Sequence, residues 1–96
     1  MTENTKNKVL VTGAAGFIGH HLSKLLVKNN YQVVGIDNIN DYYDQNLKLA
    51  RLQDMGIDTS NIVENVPLKG RITFVKLDLR NASDVMDLFK KERFDF

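Results

Sequence analysis

Gly13, Gly16 and Gly19 recur every third residue in Gly13-Ala14-Ala15-Gly16-Phe17-Ile18-Gly19, and no other stretch of the 96-residue chain concentrates glycine in this way. Such spacing suits a backbone that must come close to phosphate. One glycine permits a tight turn, another lets the main chain approach a pyrophosphate, and a third lets a helix pack against a strand. The phosphate oxygens then meet free N–H groups and the positive dipole end of a helix that begins there. The spacing is GxxGxxG, not the GxGxxG of the common dinucleotide fingerprint. A plain turn with close helix packing calls for the same three glycines, so their neighbours matter. A Walker A loop fits poorly, because the glycines are too close together and no Gly-Lys-Ser/Thr follows.

Asp37 supplies the context, standing 18 residues beyond Gly19 and 24 beyond Gly13. The fingerprint places an acidic residue about 20 residues beyond the glycine turn, where it accepts hydrogen bonds from the adenosine ribose. A carboxylate there suits NAD and repels the 2'-phosphate of NADP, and no Arg or Lys lies between Ile36 and Leu47 to receive that phosphate. The alternative is a solvated aspartate opening a turn. Asp78 either reaches the ligand crevice from the end of a strand or steadies the turn before the next helix. Tyr42 and Tyr43 either stack on a nucleotide or pack against the nearby helix start. His20 and His21 are adjacent, so they cannot share one helical face as paired metal ligands would, and both are expected on the surface.

The elements that must position these residues follow from periodicity. Val9-Leu10-Val11 is a short apolar run stopped at Gly13, as a strand buried on both faces would be. Ile18, Leu22, Leu25 and Leu26 then fall at i, i+4, i+7 and i+8, which predicts the apolar face of a helix ended by Asn29 and Asn30. Residues 31–36 (YQVVGI) read as a second strand closed by Asp37, and residues 39–43 as loop. A second helix is expected over 44–55, with Leu47 and Ala50 on one face, Leu49 and Leu52 beside it, and Gly56 as its stop. Residues 57–70 contain the only proline and read as a long loop or irregular excursion. Residues 71–78 (RITFVKLD) form the third strand candidate. Asn81 with Asp84 forms a box-like cap for a helix whose apolar face is Val85, Leu88 and Phe89. Phe94-Asp95-Phe96 resembles the opening of a fourth strand. The expected fold class is therefore α/β, a βαβαβα half of a Rossmann-type doubly wound parallel sheet, over residues 8–96, with 1–7 as a flexible end.

Composition narrows the function classes. Hydrophobic residues make up 43% and charged residues 26%, as in ordinary globular domains. The formal net charge is +1 with no run of like charges, which disfavours nucleic acid as a partner. Cysteine is absent, so disulfides, thiolate zinc sites and cysteine nucleophiles are excluded. Apolar runs are far shorter than the roughly 20 residues of a membrane helix, and no signal-peptide core follows Met1; a cytoplasmic protein without membrane contact is expected.

Taken together, KVLVTGAAGFIGHHL, VVGIDNINDYYDQNLKLARL and FVKLDLRN resemble the N-terminal part of the extended short-chain dehydrogenase/reductase family. Within that family the likeness is to NAD-dependent nucleotide-sugar epimerases and dehydratases, and IDNINDYYDQNLK is similar to the corresponding stretch of UDP-glucuronate 4-epimerases. The resemblance implies that Gly13, Gly16 and Gly19, with the backbone of Phe17 and Ile18, hold the NAD pyrophosphate. It also implies that Asp37 and Asn38 bind the adenosine ribose and that Asp78 and Leu79 bracket the adenine. The family's isomerase chemistry is transient hydride transfer at C4 of a UDP-sugar, with a Tyr-x-x-x-Lys pair as base. Four residues beyond Tyr31, Tyr42 and Tyr43 stand Gly35, Asn46 and Leu47, so no residue here is assigned a catalytic role. The reading is a cofactor-binding fragment of such an enzyme, inactive by itself; a stand-alone nucleotide-binding module is the alternative. A first strand left as an open edge, together with apolar helix faces lacking cover, predicts a homodimer.

Overall fold

Two parallel pairings carry the sheet. In the computed structural model, which describes residues 7–39 and 45–94, strand β1 (Lys8–Thr12) pairs in parallel with β2 (Gln32–Asp37), from Lys8↔Gln32 to Thr12↔Ile36. Strand β2 pairs in parallel with β4 (Thr73–Lys76), from Val34↔Thr73 to Asp37↔Lys76. Strand β3 (Leu68–Lys69) adds an antiparallel edge, giving the order β1-β2-β4-β3. Helix α1 (Phe17–Lys28) joins β1 to β2, α2 (Gln45–Asp54) follows β2, and α3 (Ala82–Glu92) follows β4. The chain is thus a mixed α/β fold, an N-terminal Rossmann-like unit whose sheet is mostly parallel.

Because side chains alternate across a strand, β2 feeds two cores. Val33 packs with Val11, Ala14, Leu52, Met55 and Phe74 on one face. Val34 and Ile36 pack with Val75, Leu77 and Leu88 on the other. The sheet is therefore covered on both faces, which is why its strands read as continuous apolar runs.

Several expectations are corrected by this packing. The segment 57–70 is not wholly irregular: it holds a 3-10 turn (Thr59–Asn61) and the two-residue strand β3, too short to leave a periodic signal. The third long strand covers only Thr73–Lys76, so Asp78 lies two residues past its end. Ile18, Leu22 and Leu25 of α1 are exposed, while Gly19, His20 and Ser23 are buried. At 100° per residue these two arcs lie about two-fifths of a turn apart, and on the inward side Gly19 lets α1 approach the glycine turn closely while Leu26 and Val27 pack against the core. On α2, Leu52 is fully buried and Leu49 packs beside it, whereas Leu47 and Ala50 face outward. On α3, Leu88 is buried and Val85 packs with it, but Phe89 is largely exposed, its ring edge-on to Phe94 at 5.5 Å. Asn81 caps α3 without a side-chain bond to the backbone, its amide donating instead to the Asp84 carboxylate at 2.7 Å. Residues 1–6 of the expected loose end, Tyr42 and Tyr43, and the last two residues of the fourth-strand candidate lie outside the described residues.

Candidate functional site

The ends of β1, β2 and β4 point to one side of the sheet, and the glycine turn follows β1 there. Gly13 takes φ +65°, a left-handed conformation that costs a side-chain-bearing residue about 1–2 kcal/mol. Its carbonyl accepts from Gly16 N–H at 2.9 Å, closing the turn directly beneath α1. Gly19 serves contact instead of conformation: a Cβ there would lie 2.1 Å from the Gly13 oxygen. Helix α1 begins with Gly16 as its N-cap, with no side-chain cap bond and no acidic residue in its first turn. Among the described residues, the N–H groups of Phe17, Ile18 and Gly19 and the positive end of the dipole are consequently left without a side-chain counterpart.

Asp37, at the end of β2, is buried and tied to this turn. Its Oδ2 accepts from Ala15 N–H at 3.1 Å, and its Oδ1 accepts from Ile39 N–H at 2.8 Å and from Lys48 Nζ at 3.0 Å. An ionised carboxylate offers about four acceptor sites. Three are occupied among the described residues, two on Oδ1 and one on Oδ2. Arg51, one turn after Lys48 on α2, donates to the Ala15 carbonyl at 3.1 Å, so α2 pins the glycine loop from the other side.

A hollow of about 220 Å³ opens beside Asp37, lined by Gly13, Ile36, Asp37, Asn38, Lys48, Leu77, Asp78 and Leu79. Five positions singled out from the sequence, Gly13, Asp37, Asn38, Asp78 and Leu79, thus share one wall system. Gly16, Phe17 and Ile18 stand apart from it at the start of α1, with Phe17 66% and Ile18 76% exposed. Asp78 is held by its own turn: Oδ1 accepts from Arg80 N–H at 2.9 Å, and Oδ2 accepts from an Arg80 guanidinium nitrogen at 2.6 Å. Those bonds to Arg80, with a further one from the Asn38 side chain, lower the Asp78 carboxyl to about 2. Asn38 and Asp78, which both line the hollow, are therefore joined to each other.

Lys48 stands one residue beyond the cation-free stretch between Ile36 and Leu47 and was not among the expected site residues. The signal was present in Lys48 and Arg51, spaced i, i+3 on one face of α2. His20 also differs from expectation. It is buried, and its Nε2 lies 2.9 Å from Asp54 Oδ2, which also accepts from Lys24 Nζ at 2.8 Å. His21 is exposed as expected. Among the described residues no group of His, Asp or Glu could hold a metal ion, and no helix is long and apolar enough to cross a membrane.

Comparison with known proteins places this geometry in a family. The family model described as GDP-mannose 4,6 dehydratase matches residues 10–96. The chain is 46% identical over 88 residues to an uncharacterized 37.6 kDa protein of Escherichia coli O111:H-, covering 92% of this chain and 23% of that protein. It is 42% identical over 86 residues to Protein CapI of Staphylococcus aureus, covering 90% and 22%. Over 43 residues it is 60% identical to UDP-glucuronate 4-epimerase 4 of Arabidopsis thaliana, covering 45% of this chain and 10% of that protein. The chain therefore spans about a quarter of the length of the first two relatives.

Proposed function

We propose, from the premise that the chain belongs to the GDP-mannose 4,6 dehydratase family within the extended short-chain dehydrogenase/reductases, that it forms the NAD-binding part of a nucleotide-sugar epimerase. The observation that carries this reading is Asp37: a buried carboxylate beside the glycine turn, with one acceptor site left for a ribose hydroxyl. In this arrangement the uncapped first turn of α1 receives the pyrophosphate, Asp37 and Asn38 hold the adenosine ribose, and Asp78 and Leu79 flank the adenine. NAD would supply hydride acceptance and return. The residues here bind and orient it, and their negative charge at the ribose disfavours NADP. The likeness to UDP-glucuronate 4-epimerases over 43 residues favours a UDP-sugar as the whole protein's substrate. The 96 residues contain no Tyr-x-x-x-Lys, so epimerisation requires residues outside them and the chain alone is expected to be inactive. In the parent, a cytoplasmic location suits a soluble sugar-nucleotide substrate.

An amide-resolved NMR titration with NAD tests the reading. The signals of Gly13, Gly16, Phe17, Ile18, Gly19 and Asn38 should shift together and saturate. Shifts that are absent at millimolar NAD, or that gather at the opposite end of the sheet, would overturn it.

A further inference from the structure

The geometry points to Lys48 as a second determinant of cofactor choice: we propose that Asp37 alone masks a ready-made 2'-phosphate site, so that removing its charge suffices to admit NADP. This rests on the cofactor reading above and adds to it a residue on α2 that the strand-end pattern does not contain.

Lys48 is a half-buried cation, its side chain 13% exposed, and its Nζ lies 3.0 Å from an Asp37 carboxylate whose side chain is 3% exposed. An ammonium carries three donors. One goes to Asp37 Oδ1; among the described residues no other partner takes the remaining two, and Lys48 lines the same 220 Å³ hollow as Asp37, Asn38 and Asp78. A ribose hydroxyl bonded to Asp37 stands about one hydrogen bond from the carboxylate, and the ammonium, 3.0 Å from Asp37 Oδ1, lines the same hollow. A phosphate on that hydroxyl would thus come within direct reach of Lys48. In the native chain the Asp37 charge opposes this phosphate and occupies the ammonium. With the carboxylate gone, the ammonium has its full charge and all three donors for the phosphate, in a partly buried setting where screening by salt is weak. The usual route to NADP use, an added Arg, is unnecessary here.

Four proteins and two dinucleotides test this: the native chain, Asp37→Ser, Asp37→Ser with Lys48→Met, and Asp37→Ser with Lys48→Arg, each titrated calorimetrically with NAD and with NADP at fixed salt. The expected result is an NADP affinity about tenfold higher in D37S than in the native chain, the change one charge-assisted hydrogen bond produces. The gain should vanish with Lys48→Met and survive with Lys48→Arg. An unchanged NADP affinity in a folded D37S, or a gain that survives Lys48→Met, overturns the proposal while leaving native NAD binding intact. Should D37S not fold, Lys48→Met in the native background decides. It leaves Asp37 unneutralised, so the NAD-to-NADP ratio must widen, and an unchanged ratio overturns the proposal. Native protein that binds neither dinucleotide overturns the cofactor reading and this inference together.

Discussion

Alanine in place of Gly19 should harm this chain more than alanine at Gly13, although both glycines belong to the same motif. At Gly13 an added Cβ meets nothing within 4 Å, so the cost is confined to the left-handed φ of +65°, about 1–2 kcal/mol. At Gly19 the added Cβ would stand 2.1 Å from the Gly13 oxygen, 2.8 Å from its carbonyl carbon and 3.1 Å from Ala14 Cα. Ordinary contact begins near 3.4 Å, so α1 and the turn would have to part by about 1.3 Å. All three obstacles are backbone atoms that cannot rotate away. Overpacking of this kind costs about 1–3 kcal/mol where side chains can yield, and more where they cannot. A loss of ~3 kcal/mol or more is a large share of the roughly 5–14 kcal/mol expected for a chain of this size. In a domain this small it corresponds to a fall in Tm of about 12 °C or more. Thermal unfolding followed by circular dichroism measures both variants. A Gly19→Ala protein that melts within about 4 °C of the native chain, or above Gly13→Ala, would show that α1 does not rest on the glycine turn in this way.

Ser23 is fully buried and its hydroxyl has no partner among the described residues, so Ser23→Ala should raise stability by about 1 kcal/mol, helped by the higher helix propensity of alanine; a lower Tm would mean that the hydroxyl is satisfied after all. Asp54 is held down to about 2 by hydrogen bonds from Lys24 and then His20, against an ordinary value of 3.8. A carboxyl depressed in the folded state contributes fully above its unfolded value, and the contribution is lost as pH falls from about 4 to about 2. Urea unfolding of Asp54→Asn should therefore lie below the native chain at neutral pH and converge with it across that window, and a gap that persists to pH 2 would contradict this. Among the described residues strand β1 ends the sheet, and Phe17, Ile18, Leu25, Met86 and Phe89 are exposed. A homodimer at high concentration is accordingly expected by sedimentation velocity, and a clean monomer would count against it.

Much of the site could be read in advance because it is built from local rules. The turn at Gly13, the helix start after Gly16 and the strand ending in Asp37 each depend on a few neighbouring residues. Harder to read were features set by helix rotation. Ile18, Leu22 and Leu25 carry the apolar period of α1, yet the helix turns Gly19 and Ser23 inward with Leu26 and Val27, because the close approach of Gly19 to the Gly13 carbonyl fixes its rotation. The same rotation takes His20 from an expected surface position to a buried contact with Asp54, 34 residues away.

Residue order alone determined the alternation of strands and helices, and with it the parallel pairing of β1, β2 and β4, since runs of both-face-buried strands separated by helices admit few other arrangements. It also determined that a glycine turn and an acidic strand end would meet, because adjacent parallel strands deliver their ends to one side. Tertiary structure decided what stands around that meeting point. The approach of α2 brings Lys48 to Asp37 and Arg51 to Ala15, across 11 and 36 residues. These contacts depend on the angle and rotation at which α2 crosses the glycine turn. That geometry is set by Leu52 and Met55 filling the core beside Phe74, and no local period in the sequence encodes it.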